Sequence, residues 1–445
     1  MTKPTSEAHI SDPTDNRPSQ LEAYSVDGMV PKRLFSPMDL EEAGQILTLS
    51  SREKAAVVPW GNGTKMDWGN IPSRLDWVVS TGRLDRIRDC DYENLTITTE
   101  SGIPLSTIQS HLRGLGRGYF VPLDPPFSQT ATMGGIVATD SSGPKRHLYG
   151  TARDLVLGMK VLLPGGKLNR WGGQTVKNVA GYDMSKLYIG SFGTLGLIGE
   201  ITFRLLPLPE RETTWVALFR EIPTAFESVA RILQSELLPS AVDISNARAM
   251  ELLGLELPPA DAKTLLAVSF EGFSESVERQ VRQVETMAQP FHPLAAQVLE
   301  GVQQEKLWRG LRDLGSLLHP RFPDRISCRI SVPISRTGEV FALWDGQKNL
   351  DLGLRSHAGS GIVNVDILPR DITLEAGILV QTLREMRRSI QDLEGIMTLL
   401  RVPLALKKQV DVWGVPDKSF AIMESLKSRL DPDRRFNPGR FVGGI

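Results

Sequence analysis

Residues 122–207 read PLDPPFSQTATMGGIVATDSSGPKRHLYGTARDLVLGMKVLLPGGKLNRWGGQTVKNVAGYDMSKLYIGSFGTLGLIGEITFRLLP. Three loops in this stretch are made of small residues: Thr132–Gly135, Ser141–Gly143 and Gly190–Gly196. Apolar runs of strand character, 155–163 and 197–206, lie between and after them. Glycine tolerates positive φ and lets main chain come close to other atoms. Successive N–H groups in such turns form concave anion sites. A fourth loop, Trp60-Gly61-Asn62-Gly63-Thr64-Lys65, follows a short strand-like run at 54–59. One such loop is an ordinary tight turn; the recurrence predicts a large phosphate-bearing cofactor lying along exposed backbone. It is not a dinucleotide fingerprint, because GxGxxG would need glycine where Met66 stands, and no GxxxxGK[ST] occurs.

The 445 residues suffice for two or three domains. A net charge of −1 offers no basic surface for nucleic acid or an anionic membrane. The two cysteines, Cys90 and Cys328, supply neither a disulfide framework nor the ligands of an iron–sulfur cluster. No apolar run reaches the roughly 18–20 residues of a membrane span, and the polar N-terminus is no signal peptide. These features predict a cytoplasmic protein, with peripheral membrane association left to a partner, and a disordered tail over 1–29.

Ser36-Pro-Met-Asp-Leu-Glu-Glu predicts a helix start with Ser36 as N-cap. Strands are expected at 77–80 and 95–99, and helices at 102–112 and 176–188. Beyond Pro209 strands and helices alternate: strands at 213–219, 241–244, 263–270, 326–332 and 362–367, helices at 224–235, 274–287, 335–347 and 371–393. Ser274 is expected to cap the second of these helices. This pattern predicts an α+β domain with an antiparallel sheet and helices on one side. A helix over 416–430 precedes an Asn437-Pro-Gly turn with Phe436 and Phe441, read as a C-terminal clasp whose RRFNPGR charges form a solvated rim. Residues 245–320 carry no chemical motif; a partner surface is one reading of them.

The WGNGTK loop, ATMGGIVATDSSG, GTARDLVLGMKVLLPGG, GSFGTLGLIGEITFRLLPLP and the terminal FNPG together resemble the flavin-binding domain of the vanillyl-alcohol-oxidase/PCMH superfamily. Within it, VKNVAGYDMSKL, VDVWG and NPGRFVGGI resemble the E-subunit family of bacterial glycolate oxidase complexes. The resemblance implies a two-subdomain PCMH-type FAD-binding domain over 30–209, a FAD-linked-oxidase C-terminal domain over 210–414, and a segment over 415–445 that returns to the flavin domain. It implies FAD, with Gly61, Asn62, Gly63, Thr64 and Lys65 and Thr132, Met133, Gly134 and Gly135 around the pyrophosphate. Ser141, Ser142 and Gly143 would line the same side. Gly193, Thr194 and Ile198 would cradle the adenine end, and Asn437 would face the isoalloxazine edge. Covalent members use a His or Cys in a flavin loop; none of these loops holds one, so non-covalent FAD is expected, with His147 the nearest candidate for a bond.

Catalytic 2-hydroxy-acid dehydrogenases of the superfamily carry a metal-binding HxGDGNxH motif and a later Glu-His pair. Here the corresponding segment is Ser356-His357-Ala-Gly-Ser-Gly-Ile-Val-Asn364-Val365; the second histidine and the pair are missing, so no metal is expected. His357 is then either a lone base or a turn histidine bound to backbone. Arg329 and Arg355 are candidate carboxylate clamps or surface ion pairs, and Tyr182 either orders a helix or stacks on the ring. The resemblance implies an E-type subunit that passes electrons through its own flavin, beside a D-type flavoprotein subunit and an iron–sulfur F-type subunit, in the oxidation of glycolate or a related small 2-hydroxy acid. The alternative is a stand-alone oxidase of a small alcohol or hydroxy acid with His357 or Tyr182 as base.

Overall fold

The computed structural model describes residues 17–116, 118–173, 183–255, 261–347, 349–370, 372–416 and 418–445. The flavin-type half has two parts. A parallel three-stranded sheet places Trp77–Ser80 between Arg33–Phe35 and Val57–Trp60. The apolar face of helix Leu40–Arg52 (Ala43, Ile46, Leu47) packs on it against Phe35, Val57 and Val79. That helix is capped by Asp39, whose carboxylate accepts from the Glu42 amide at 2.9 Å; Ser36 lies outside it. The second part is an antiparallel five-stranded sheet in the order Ile87–Asp91, Thr96–Glu100, Leu197–Arg204, Val156–Leu162, Leu168–Gly172. Helices Leu105–Gly114 and Met133–Ala138 cover it, with Ile108, Leu112, Ile136 and Val137 packed on Ile97, Ile201 and Phe203.

The second half is built on one eight-stranded antiparallel sheet. Strand alternation divides each strand between two faces. In Arg211–Phe219, Trp215, Ala217 and Phe219 point to one core and Val216 and Leu218 to another. Helices Ile222–Leu233, Ser274–Ala288, Thr337–Asp345 and Ile372–Asp392 cover the first face. The expectation of helices on one side fails: Ala247–Leu252 and Gly301–Leu317 cover half of the other face with Met250, Leu307, Trp308 and Leu311. This accounts for much of 245–320, which also supplies the edge strand Ala295–Leu299. Ser274 is the first residue inside its helix; Phe273 holds the cap position.

Over strands Ile326–Ser331, Leu352–His357 and Ile362–Ile367 that second face is, among the described residues, covered by helix only where Leu252 and Leu314 lie on Gly353 and Gly315 lies beside Asp366. It presents Ser327, Arg329, Arg355, His357, Asn364 and Asp366 to the flavin-type half, while the alternate residues Cys328, Ile330, Leu354, Val363 and Val365 join the core behind. Salt bridge Lys145–Glu271 (2.6 Å) and the hydrogen bond from the Phe127 amide to Asp313 (2.8 Å) join the halves.

Both ends of the described chain are anchored; residues 1–16 of the expected tail lie outside the described residues. Residues 17–29 are ordered rather than a disordered tail: Leu21 and Val26 pack on Val58, Trp60 and Val78, and Asp27 takes the buried Lys407 ammonium at 2.8 Å. The terminal turn pairs Phe436 beside Val57, and the Asn437 amide donates to the Val57 carbonyl at 2.8 Å. Buried Lys427 ties Asp431 to the carbonyls of Thr194 and Phe436. The expected solvated rim fails for two of its three arginines: Arg434 is exposed, but Arg435 and Arg440 are 3% and 2% exposed, Arg435 bonding Ser50, Ser51 and the Pro164 carbonyl, Arg440 the carbonyls of Met66 and Trp68.

Candidate active site

Two contiguous spaces share Gly63 and Thr64. The first is a cradle between the two parts of the flavin-type half. It gathers Gly61, Asn62, Gly63, Thr64, Lys65, Thr132, Gly134, Gly135, Gly193, Ile198 and Asn437, with Arg440 added from the terminal turn. Of the other residues expected there, Met133 is core, and Thr194 is buried with its hydroxyl donated to Ser191. Ser141, Ser142 and Gly143 line the second space.

The two expected pyrophosphate segments differ. Thr132–Gly135 is not a loop but a helix start: Thr132 is the N-cap of Met133–Ala138. Its amides are already used, Met133 donating to the Ile103 carbonyl (2.9 Å), Gly134 to Ser101 (2.7 Å) and Gly135 to the Thr132 hydroxyl (3.3 Å). Gly134 serves packing: a Cβ there would sit 2.8 Å from the Ser101 Cβ. The amides of Asn62, Gly63, Thr64 and Lys65, by contrast, donate to no group among the described residues. A run of four free N–H groups is an anion-binding nest.

Lys65 reinforces it. Its ammonium is buried between the rings of Trp68 and Phe127 (5.9 and 5.8 Å to the centroids) and has no hydrogen-bond partner. Burial pushes its pKa down to about 8, with Asp313 opposing only in part. A buried cation without a partner is costly, and the cost is relieved by an anion. The hydroxyls of Ser101, Ser141 and Ser142 are likewise buried and unpaired. Free amides, an orphan cation and orphan hydroxyls along one cleft are the donor set that the diphosphate, ribityl chain and ring carbonyls of FAD require.

The second space, about 410 Å³, lies under the bare part of the large sheet. His357 is 7% exposed, and its Nδ1 stands 2.9 and 3.0 Å from the two oxygens of Asp243, itself 1% exposed. Asp243 and His357 are cross-strand partners, so the pairing is fixed by sheet register. A carboxylate at Nδ1 holds the proton there and leaves Nε2 as the basic atom. Asn364 Nδ2 lies 3.5 Å from that Nε2 and is the cross-strand neighbour of both Arg329 and Arg355.

The two candidate arginines separate. Arg355 is committed, donating to Asp366 (2.9 Å) and the Leu311 carbonyl. Arg329 has no hydrogen bond or ion pair among the described residues, and burial, with Arg146 nearby, pushes its pKa down to about 10. Of the two, Arg329 is therefore the one left without a bonded partner among the described residues. Arg312 also reaches the cavity, paired with Asp313 at 2.9 Å and with its Nε unpartnered. Tyr182 lies outside the described residues, as does much of the 176–188 helix. His147 is not part of the cradle; its Nδ1 faces the Gly359 carbonyl at 3.0 Å. Among the described residues no cluster of His, Cys, Asp and Glu could hold a metal ion.

Asp243, Arg312, Arg440 and Asn364 were not picked out from the sequence. Asp243 left one trace: a carboxylate in the otherwise apolar strand run AVDIS, at an inward position. Arg440 left none, since an arginine near a chain end reads as solvated.

A cradle with this donor set, opening on a cavity that holds a histidine oriented by a carboxylate, defines a flavin-dependent oxidoreductase. Residues 31–172 match the family model described as FAD binding domain, and 208–368 the one described as FAD linked oxidases, C-terminal domain. The chain belongs to the FAD-linked oxidases, and FAD is its cofactor. It is similar to glycolate oxidase subunit GlcD of Bacillus subtilis, 28% identical over 92% of this chain and 89% of that one. It is similar to glycolate oxidase subunit GlcE of Escherichia coli, 36% identical over 52% of this chain and 64% of that one. The solved structure of p-cresol methylhydroxylase with substrate bound has the same fold, with a TM-score of 0.78 at 16% identity, covering 96% of this chain and 93% of that one. These relatives place the chain among FAD-linked oxidoreductases of the glycolate oxidase and D-lactate dehydrogenase type. No helix among the described residues is long and apolar enough to cross a membrane.

Proposed function

We propose that this chain is an E-type subunit of a glycolate-oxidising complex and that it oxidises a small 2-hydroxy acid in its own cavity. The observation that carries the catalytic part is the His357–Asp243 pair facing the cavity that Arg329 also lines, with no bonded carboxylate among the described residues. Arg329 binds the substrate carboxylate through charge-assisted hydrogen bonds. His357 Nε2 takes the hydroxyl proton as C2 becomes a carbonyl carbon, and Asp243 stabilises the imidazolium that results. Bound FAD supplies the two-electron acceptor for the C2 hydride. The residues that would hold it are the free amides of 62–65, Lys65, Ser141, Ser142, Asn437 and Arg440, and we read the attachment as non-covalent because no histidine or cysteine is among them.

The E-type assignment draws on the 36% identity to a GlcE subunit and implies D-type and iron–sulfur F-type partners, the last because two separated cysteines cannot hold a cluster for onward electron transfer. The stand-alone reading is favoured by one observation: base, orienting carboxylate and clamp all come from this chain. Mixing the purified holoprotein anaerobically with glycolate or D-lactate tests the chemistry. Bleaching of the flavin supports oxidation on this chain; bleaching only when D-type and F-type subunits are added assigns the chemistry elsewhere. Copurification from the native source tests the partners.

A further inference from the structure

The cavity is more positive than a two-carbon monoanion needs. Five arginines line it (Arg312, Arg325, Arg329, Arg355 and Arg401) against two carboxylates, Asp67 and Asp366. Arg312 is balanced by Asp313, so four guanidinium groups share two carboxylates, a surplus of two positive charges.

The surplus lies in two places. Arg325, just before strand Ile326–Ser331, and Ser327 and Arg329 within it stand at alternate positions, and all three line the cavity. At ~3.3 Å per residue, Arg325 and Arg329 start roughly 13 Å apart. At the Arg329 end no carboxylate is bonded among the described residues, Asp140 attracting the guanidinium only from beyond ion-pair distance and Arg146 opposing it, and this is the end nearest His357 through Asn364. At the other end Arg325 is 5% exposed, its Nε is buried without a hydrogen bond, and its closest carboxylate oxygen, on Asp366, is 4.0 Å away. Asp366 is already taken by Arg355 (2.9 Å) and by the Ser327 hydroxyl (2.6 Å). Arg401 stands at the same end on Asp67, and burial together with Arg401 and Arg325 holds His319 below its ordinary pKa. Buried guanidinium groups that outnumber their carboxylates form an anion site.

Resting on the 2-hydroxy-acid reading above, we infer that the substrate is a dianion, with its 2-hydroxy carboxylate on Arg329 and a second anionic group, a carboxylate or a phosphate-type group, on Arg325 and Arg401. Such a substrate neutralises both ends at once, and a two-carbon acid fills only the first.

The test is equilibrium binding of 2-oxo acids to the holoenzyme by calorimetry. The probes are 2-oxopentanoate with a neutral tail, 2-oxoglutarate with a carboxylate tail, and phosphonopyruvate with a phosphonate tail. At least one charged-tail acid binds tenfold or more tighter than 2-oxopentanoate, and which one identifies the second group. Arg325→Gln, or independently Arg401→Gln, brings that ratio close to one. Equal affinity for neutral and charged tails in the wild-type protein overturns this inference and leaves the 2-hydroxy-acid reading standing. Failure of all three acids to bind at millimolar concentration overturns that reading itself.

Discussion

Asp243→Asn isolates the orienting role at the candidate base. The replacement is nearly isosteric, so the buried site keeps its packing and loses one charge. The asparagine amide donates to His357 Nδ1, which then carries the lone pair and leaves the proton on Nε2, the wrong atom for abstraction. A general base contributes on the order of 10²–10⁴-fold, and losing it raises the barrier by about 3–5 kcal/mol at 1.36 kcal/mol per decade. The reductive rate constant for the bound flavin, read at 450 nm in anaerobic stopped flow, falls by that factor. FAD content stays at the wild-type level, since Asp243 bonds His357 and does not line the cradle. A structural role would not move the pH profile, whereas here the rate of the variant rises again as hydroxide replaces the side-chain base. Wild-type reduction rates in Asp243→Asn, with the same pH profile, would refute the reasoning.

Further outcomes follow from the same geometry. Lys65→Met weakens FAD binding; in the wild-type protein the dissociation constant rises with pH above about 8, because the free ammonium titrates there and an anion binds its charged form, and a fluorescence titration of the variant shows that slope removed. Arg329→Met raises KM roughly 10- to 150-fold in steady-state kinetics, the worth of a charge-assisted hydrogen bond, with kcat changing less. Gly134→Ala lowers the unfolding free energy of the apoprotein by about 1–3 kcal/mol, since its Cβ would lie 2.8 Å from that of Ser101 and 3.0 Å from the Ser101 carbonyl oxygen. An apoprotein of unchanged stability in denaturant titration that has lost FAD affinity would instead place Gly134 against the cofactor.

What the sequence reveals is set by the range of the interactions. Strand Trp77–Ser80 stands where its apolar run predicts, because both of its faces are packed, and Ile362–Ile367 where its β-branched residues alternate with Asn364 and Asp366, one face in the core and the other on the cavity. Helix Gly301–Leu317 escaped notice: its buried face, Leu307, Trp308, Leu311 and Leu314, sits among glycines and charges that dilute the period. Asp39 displaced Ser36 as N-cap because its carboxylate reaches the Glu42 amide, a choice between neighbouring cap formers that local sequence leaves open. The glycine loops were legible as a cradle, yet the division of labour within them was not. Whether an amide is free depends on which carbonyl folds back over it: Ser101 and Ile103 reach Gly134 and Met133, and among the described residues none reaches Gly63. His357 was visible as a candidate, but its orienting group is 114 positions away and arrives through cross-strand register.

The account stands or falls on whether this chain's own cavity does the oxidation. The direct measurement is anaerobic reduction of the flavin in the isolated chain, wild type against His357→Asn, with glycolate, D-lactate and a charged-tail 2-hydroxy acid in turn. The wild-type flavin bleaches with at least one of them and the variant's does so at least a hundredfold more slowly; a wild-type flavin that stays oxidised with all three until partner subunits are added contradicts the account.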